Sequence, residues 1–122
     1  MRLLLDTNAL VRWHLKKLRP AAVRTVERAE LVVVSAISSW EIAIKGAVGK
    51  LDLKDTVGDI VARNRFLPLP VTIRHGDLLR DLPRHHSDPF DRLLIAQALD
   101  EGLTILTSDR SFEPYRVPVA WA

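Results

Sequence analysis

Short apolar runs alternate along this chain with segments whose apolar residues recur at helical spacing, and that alternation constrains the fold more than any other feature. Leu3 to Leu5, Leu31 to Val34 and Leu103 to Leu106 have the length and composition of strands buried on both faces. Between them, Pro20 to Ala29 reads as a helix, with proline at its first position and Val23, Val26 and Ala29 on one stripe. Ser38 to Val48 carries Trp40, Ile44 and Val48 at i, i+4 and i+8, a stripe expected to face the core. Val57, Ile60 and Val61 suggest a further helix that ends before Pro68 and Pro70, with a short strand at Val71 to Ile73 and a weak helix after it. Pro89 to Glu101 is the clearest helix, with Gly102 placed as its C-terminal cap, and Val117 to Val119 is a last strand interrupted by Pro118. The expected fold is a three-layer α/β/α domain with a mainly parallel central sheet flanked by helices.

Composition narrows the class. The chain of 122 residues, 48% of them hydrophobic, suits a single domain over residues 1–122, and no repeat or Ser/Gly linker invites a boundary. The absence of cysteine excludes disulfides, thiolate zinc sites and a Cys nucleophile. No apolar run approaches the ~20 residues that span a bilayer. Asp6 interrupts the amino terminus too early for a secretory signal, so a soluble cytoplasmic protein is expected, with no membrane partner. The formal charge is +3, which permits a nucleic-acid partner without demonstrating one. All five lysines, Lys16, Lys17, Lys45, Lys50 and Lys54, lie in the first half, excluding chemistry that needs a lysine near the carboxyl end.

The acids fall at one place on this frame. Asp6 directly follows the first strand, and Glu41 is expected in the first turn of the helix after the second. Asp88 and Asp91 open the long helix one turn apart, and Asp109 follows the strand ending at Leu106. In a parallel sheet these positions share the carboxyl edge, where ligands bind. Each acid has a structural reading of its own. Asp6 and Asp88 are N-caps, Ser38 to Glu41 fits a capping box with Glu41 also in reach of Lys45, Asp91 favours the helix dipole, and Asp109 caps a turn through Ser111.

Together the acids ask for more. Carboxylates within ~5 Å repel by about 3 kcal/mol per pair at an effective dielectric near ~20. A divalent cation removes that repulsion more fully than helix N-termini do. Oxygen ligands without Cys or a clear His pair select Mg²⁺ or Mn²⁺ over Zn²⁺. Such an ion deprotonates a water, orients a phosphate and neutralises charge on a leaving oxygen, as phosphodiester hydrolysis requires. Metal-dependent nuclease chemistry is the expectation.

At these residues the chain resembles a PIN domain. LLLDTNAL (Leu3 to Leu10), SSWEIAIK (Ser38 to Lys45), HSDPFDRLLIAQA (His86 to Ala98) and LTSD (Leu106 to Asp109) occur in that family's order and together span nearly the whole chain. The DPFDRLLIAQA stretch and the Trp-Glu pair are particularly similar to VapC-type ribonuclease toxins of toxin–antitoxin pairs. The resemblance implies that Asp6, Glu41, Asp91 and Asp109 form an acidic quartet holding one or two Mg²⁺ or Mn²⁺ ions. It implies that Asn8 and Ser108 orient the acids or their waters, and that Asp88 caps first and binds metal second. It implies an endoribonuclease leaving 3′-hydroxyl and 5′-phosphate ends, inhibiting translation or growth, forming a homodimer and bound by a cognate antitoxin that enters the acidic groove.

Several residues stay open. Arg12 and Arg92 are candidates for contacts to RNA phosphate, with Lys16 and Lys17 completing a basic rim beside Arg12, although charged helix faces are usually solvated. His85 and His86 read first as solvated loop residues. Among the tryptophans, which can stack on bases, Trp40 reads as core, Trp13 as an interface residue, and Trp121 is unassigned. A haloacid-dehalogenase-like phosphatase is the first alternative, but its second acid is replaced by Asn8. A phospho-receiver domain lacks its late lysine. A P-loop at Gly49-Lys50 lacks the earlier glycine, where Ile44 stands, and has Leu51 for Ser or Thr. The remaining alternative is a non-catalytic RNA- or partner-binding module using the basic surface alone, and a weaker variant is a metal-independent ribonuclease built on His85 or His86.

Overall fold

The computed structural model describes residues 1–49 and 53–122. Five parallel strands form one sheet in the order β3-β2-β1-β4-β5. They are β1 (Arg2–Leu5), β2 (Leu31–Ser35), β3 (Leu67–Leu69), β4 (Thr104–Thr107) and β5 (Val119–Trp121). Helices α1 (Thr7–His14), α2 (Pro20–Arg28), α3 (Ala36–Ala47), α4 (Val57–Arg63), α5 (Ile73–Leu78) and α6 (Pro89–Glu101) connect them. This is the three-layer arrangement that the alternating pattern predicts. The consecutive apolar residues of β1 serve both faces. Leu3 and Leu5 join Ala9, Leu10, Ala22, Val26, Val57 and Ile60 in one core, whereas Leu4 joins Ile37, Leu93, Leu94 and Phe112 in the other. Lys50 and Leu51, which bear on the P-loop reading, lie outside the described residues. Among the described residues, no helix is long and apolar enough to cross a membrane.

The chain order reverses at β1. The path runs outward through β2 to β3, then returns to place β4 on the other side of β1. Such a switch point opens a crevice beyond the strand ends, and the termini of β1 and β4 flank it here. Pro89 at the first turn of α6 and Gly102 in the left-handed conformation at its end (φ 67°) fix the long helix as expected.

Four local expectations are corrected. α3 begins at Ala36, capped by Ser35, rather than at Ser38. The Trp40, Ile44 and Val48 stripe faces outward, with exposures of 68%, 52% and 64%, so Trp40 is not core. The period reveals a stripe but not which side is covered, and the covered side carries Ile37, Ser38 and Glu41. The strand expected at Val71 to Ile73 lies instead at Leu67–Leu69, an edge position that tolerates Pro68, while Thr72 caps α5. The last strand starts at Val119, after Pro118, and runs to Trp121.

Candidate active site

Asp6, Thr7, Asn8, Val11, Glu41, Lys45, Asp88, Asp91 and Asp109 line a cleft of about 300 Å³ at the switch point. Asp6 is the N-cap of α1: its Oδ1 accepts from the Ala9 N–H at 2.7 Å, while its Oδ2 accepts the Thr107 hydroxyl at 2.5 Å. The Thr107 oxygen in turn accepts the Asp109 N–H at 3.0 Å. One buried hydroxyl at the end of β4 therefore ties together the acids that follow β1 and β4. Ser108, the expected orienting residue, is exposed. Nothing local to Thr107 in the sequence signals this role, which depends on the β1–β4 register.

Glu41 reaches the cleft from the second turn of α3, not its first, because the helix starts earlier than expected. No Ser38–Glu41 capping box forms. Ser35 caps instead, and buried Ser38 shares a hydrogen bond of 2.9 Å with Thr7, docking α3 against the start of α1. Ser35 also donates to Gln97 Oε1 at 2.5 Å, and Gln97 donates to the Pro70 carbonyl, so a buried amide on α6 fixes the ends of β2 and the loop after β3. Glu41 Oε2 accepts from Lys45 at 2.5 Å, whereas Oε1 is buried without a partner.

Asp88 caps α6, its Oδ1 accepting from the Phe90 and Asp91 N–H groups at 2.8 and 3.3 Å. Asp109 accepts from the backbone and hydroxyl of Ser111 at 2.9 and 2.6 Å, and the hydroxyl bond leads in holding its carboxyl below the usual range. The other acids are pushed the opposite way. Burial raises Asp6 from 3.8 to about 6, against the lowering pull of its hydrogen bonds. Burial raises Asp91 to about 7, reinforced by the charges of Asp88, Asp6 and Glu41. Lys45 is held above the usual lysine range, first by its bond to Glu41.

His86 is not solvated surface. Its side chain is 15% exposed, and Nε2 lies 3.0 Å from Asp91 Oδ2 and 3.5 Å from Asp109 Oδ2. Its backbone N–H donates to the Tyr115 hydroxyl at 2.8 Å, and its ring packs edgewise on Phe112. His86, Asp91 and Asp109 offer ligand atoms within 4.8 Å of one another. The Asp88 N–H, however, donates to His86 Nδ1 at 3.1 Å, which places the ring proton on Nε2. In this tautomer the ring presents a donor, not a ligand lone pair, to the carboxylates. His85 is exposed and packs edgewise against Tyr115.

The two arginines expected at RNA are engaged elsewhere. Arg12 donates to the Lys17 carbonyl at 3.0 Å, closing the end of α1. Arg92 donates to the Leu82 and Leu79 carbonyls, tying the preceding turn to α6. Neither is among the described residues lining the cleft. Trp13 donates to Asn64 and tilts against Phe66.

A divalent cation fits this donor set. The cleft gathers carboxylates from four stretches of chain, two of them driven toward protonation by burial, with a buried Glu41 oxygen left without a partner. Such groups can hold a metal ion. An α/β/α sandwich with a carboxylate cluster at its switch point defines a domain built around an acidic cleft. The chain belongs to the PIN domain family, whose model matches residues 3–117. By sequence, no curated protein matches it. Its fold is similar to that of chains in several solved complexes. One is the VapBC2 complex of Rickettsia felis bound to a DNA fragment from its promoter, at 16% identity, TM-score 0.75, covering 100% of this chain and 99% of that one. Another is the DNA-bound VapBC complex of Salmonella typhimurium, at 15% identity, TM-score 0.71, covering 99% and 98%. A third is FitAcB of Neisseria gonorrhoeae, at 23% identity, TM-score 0.65, covering 96% and 95%.

Proposed function

We propose that this chain, as a single domain, is a Mg²⁺- or Mn²⁺-dependent endoribonuclease and the toxin of a toxin–antitoxin pair, acting in the cytoplasm. The observation that carries this reading is the cleft itself, in which acids remote in sequence meet and a buried Glu41 oxygen lacks a partner. Asp6, Glu41, Asp91 and Asp109 are the residues that hold one or two ions, with Asp88 supporting. A cation bound there supplies activation of a water and neutralisation of charge on the departing oxygen of a phosphodiester. Thr107 fixes Asp6 and positions the Asp109 backbone, and Lys45, bonded to Glu41, is the cation among the described residues that line the cleft. Asn8 lines the cleft.

The partner assignment is supported by two kinds of observation. The folds similar to this one occur in toxin–antitoxin complexes, and the apolar stripe of Trp40, Ile44 and Val48 is exposed along α3, the helix that carries Glu41. We assign that stripe to protein contact, with the antitoxin or within a homodimer.

The test is cleavage of single-stranded and looped RNAs by the purified protein in Mn²⁺ or Mg²⁺, with EDTA and Asp91→Asn controls. The expected result is cleavage that needs both the metal and Asp91 and leaves 5′-phosphate ends. Cleavage that persists in EDTA and in Asp91→Asn, with 2′,3′-cyclic phosphate ends, would overturn it in favour of a metal-independent reaction.

A further inference from the structure

Trp121 is a large aromatic side chain that belongs to neither core. The flanking Ala120 and Ala122 pack against one cluster and Val119 against the other. The indole is instead covered by the Arg110 guanidinium, 3.9 Å from the ring centroid. Arg110 is held a second time, by Glu113 Oε1 at 3.0 Å, so the plane of the guanidinium is fixed from below and from its edge. Its side chain is nevertheless 67% exposed. A planar cation backed by an aromatic ring and left open to solvent is a stacking surface, because bases stack on guanidinium planes as well as on aromatic faces.

Its position gives it a use. Arg110 directly follows Asp109, and Trp121 pairs in register with Thr107, whose hydroxyl holds Asp6. Adjacent strands lie ~4.8 Å apart, so the Arg110–Trp121 stack stands one strand away from the acid cluster, at the same edge of the sheet. A nucleic acid that reaches a cleft lined by five carboxylates is repelled by them unless cations and stacking hold the strand beside it. Arg110 offers both, and being preorganised it loses little freedom on binding.

We infer that the Arg110–Trp121 stack is a nucleobase subsite. A base of single-stranded RNA next to the bond in the cleft lies on the outer face of the Arg110 guanidinium, with Trp121 supporting that plane from beneath. The inference rests on the nuclease reading for its substrate class and adds where the strand is gripped. A base within a duplex is already stacked on both sides and cannot use the surface, so the subsite favours single-stranded over double-stranded RNA.

The test is equilibrium binding of a fluorescein-labelled single-stranded RNA oligonucleotide in EDTA, where metal-dependent cleavage is absent. The proteins compared are wild type, Trp121→Ala, Trp121→Phe, Arg110→Ala and Arg110→Lys, with melting temperatures measured alongside. Trp121→Ala and Arg110→Ala are expected to bind at least about fivefold more weakly, as loss of a stacked base implies. Trp121→Phe should retain most of the affinity, whereas Arg110→Lys, which keeps the charge but loses the plane, should not. Equal binding by Arg110→Lys and wild type would reduce the residue to a simple charge and overturn the subsite. So would unchanged binding by both alanine variants; neither result touches the nuclease reading if metal-dependent cleavage stands. An absence of RNA binding and cleavage by the wild type would overturn both.

Discussion

Neutralising Asp6 should make the metal-free protein more stable, not less. Asp6 is 5% exposed, and its carboxyl sits at about 6 rather than 3.8. Below pH 3.8 the folded and unfolded chains both hold the proton. Between 3.8 and about 6 only the folded chain holds it, so stability falls as pH rises. Above that window the full penalty for ionising the buried group applies, about 3 kcal/mol. Asp6→Asn removes the penalty. Its side-chain carbonyl still accepts the Ala9 N–H, since Asn and Asp cap equally well. What it loses is the Thr107 hydroxyl bond, because an amide N–H₂ now faces that oxygen. Thr107 has two lone pairs and can accept from both the new amide and the Asp109 N–H, so re-aiming its hydroxyl costs about 1 kcal/mol.

The balance favours the variant by about 1–2 kcal/mol at pH 8 in EDTA, which is a rise of roughly 5 °C in melting temperature for a domain of this size. The assay is thermal unfolding followed by circular dichroism from pH 5 to pH 8. The difference should shrink toward pH 5, where the folded carboxyl carries its proton but the unfolded one does not, so that about half of the penalty remains; the rest disappears only below pH 3.8. A wild type that is the more stable protein at pH 8, by a margin independent of pH, would refute the reasoning. It would mean that the Thr107 bond outweighs the desolvation of the charge.

Two further outcomes follow from the same geometry. Because Asp91 is pushed up to about 7 by burial and by its acidic neighbours, Mn²⁺ should raise the melting temperature more at pH 8 than at pH 6, where a proton competes for the site. Equal stabilisation at the two values would place the ion elsewhere. Trp40→Ala should change the unfolding free energy in urea by no more than about 0.5 kcal/mol, because the ring is 68% exposed. A loss of 3 kcal/mol or more, the cost of an emptied core position, would put Trp40 back inside.

The contrast between Trp40 and Glu41 shows what periodicity can and cannot convey. A stripe at i, i+4 and i+8 is visible in any helix with two unlike faces, but burial follows the neighbours that fold against it. On α3 the covered face holds Ser38 and Glu41, whose partners are Thr7 from α1 and Lys45 from the next turn. The Ser35–Gln97 bond, between residues 62 apart, helps to seat α6 against the end of β2 and lies beyond local pattern. The acids were legible for a different reason. All but Glu41 end a strand or begin a helix, and those boundaries are written locally in residues such as Pro89 and Gly102. His86 and Thr107 were hidden because their roles come from Asp88, Tyr115 and the sheet register.

Capping and cleft-lining then cease to be rival explanations of the same carboxylates, because a carboxylate has two oxygens. Asp88 commits Oδ1 to two backbone N–H groups of α6. Asp109 commits Oδ1 to Ser111 and turns Oδ2 toward His86. Glu41 commits Oε2 to Lys45 and leaves Oε1 buried and without a partner. In each case one oxygen fixes the group and the other remains for the cleft. Asp6 alone has both engaged, one by Ala9 and one by a Thr107 hydroxyl that can rotate away without disturbing the backbone. The local structure that gives each acid its ordinary excuse is therefore also what holds the cluster rigid against its own repulsion. Rigidity of that kind is what a cation needs from its ligands, since a site that must first be assembled loses part of the binding free energy in ordering it.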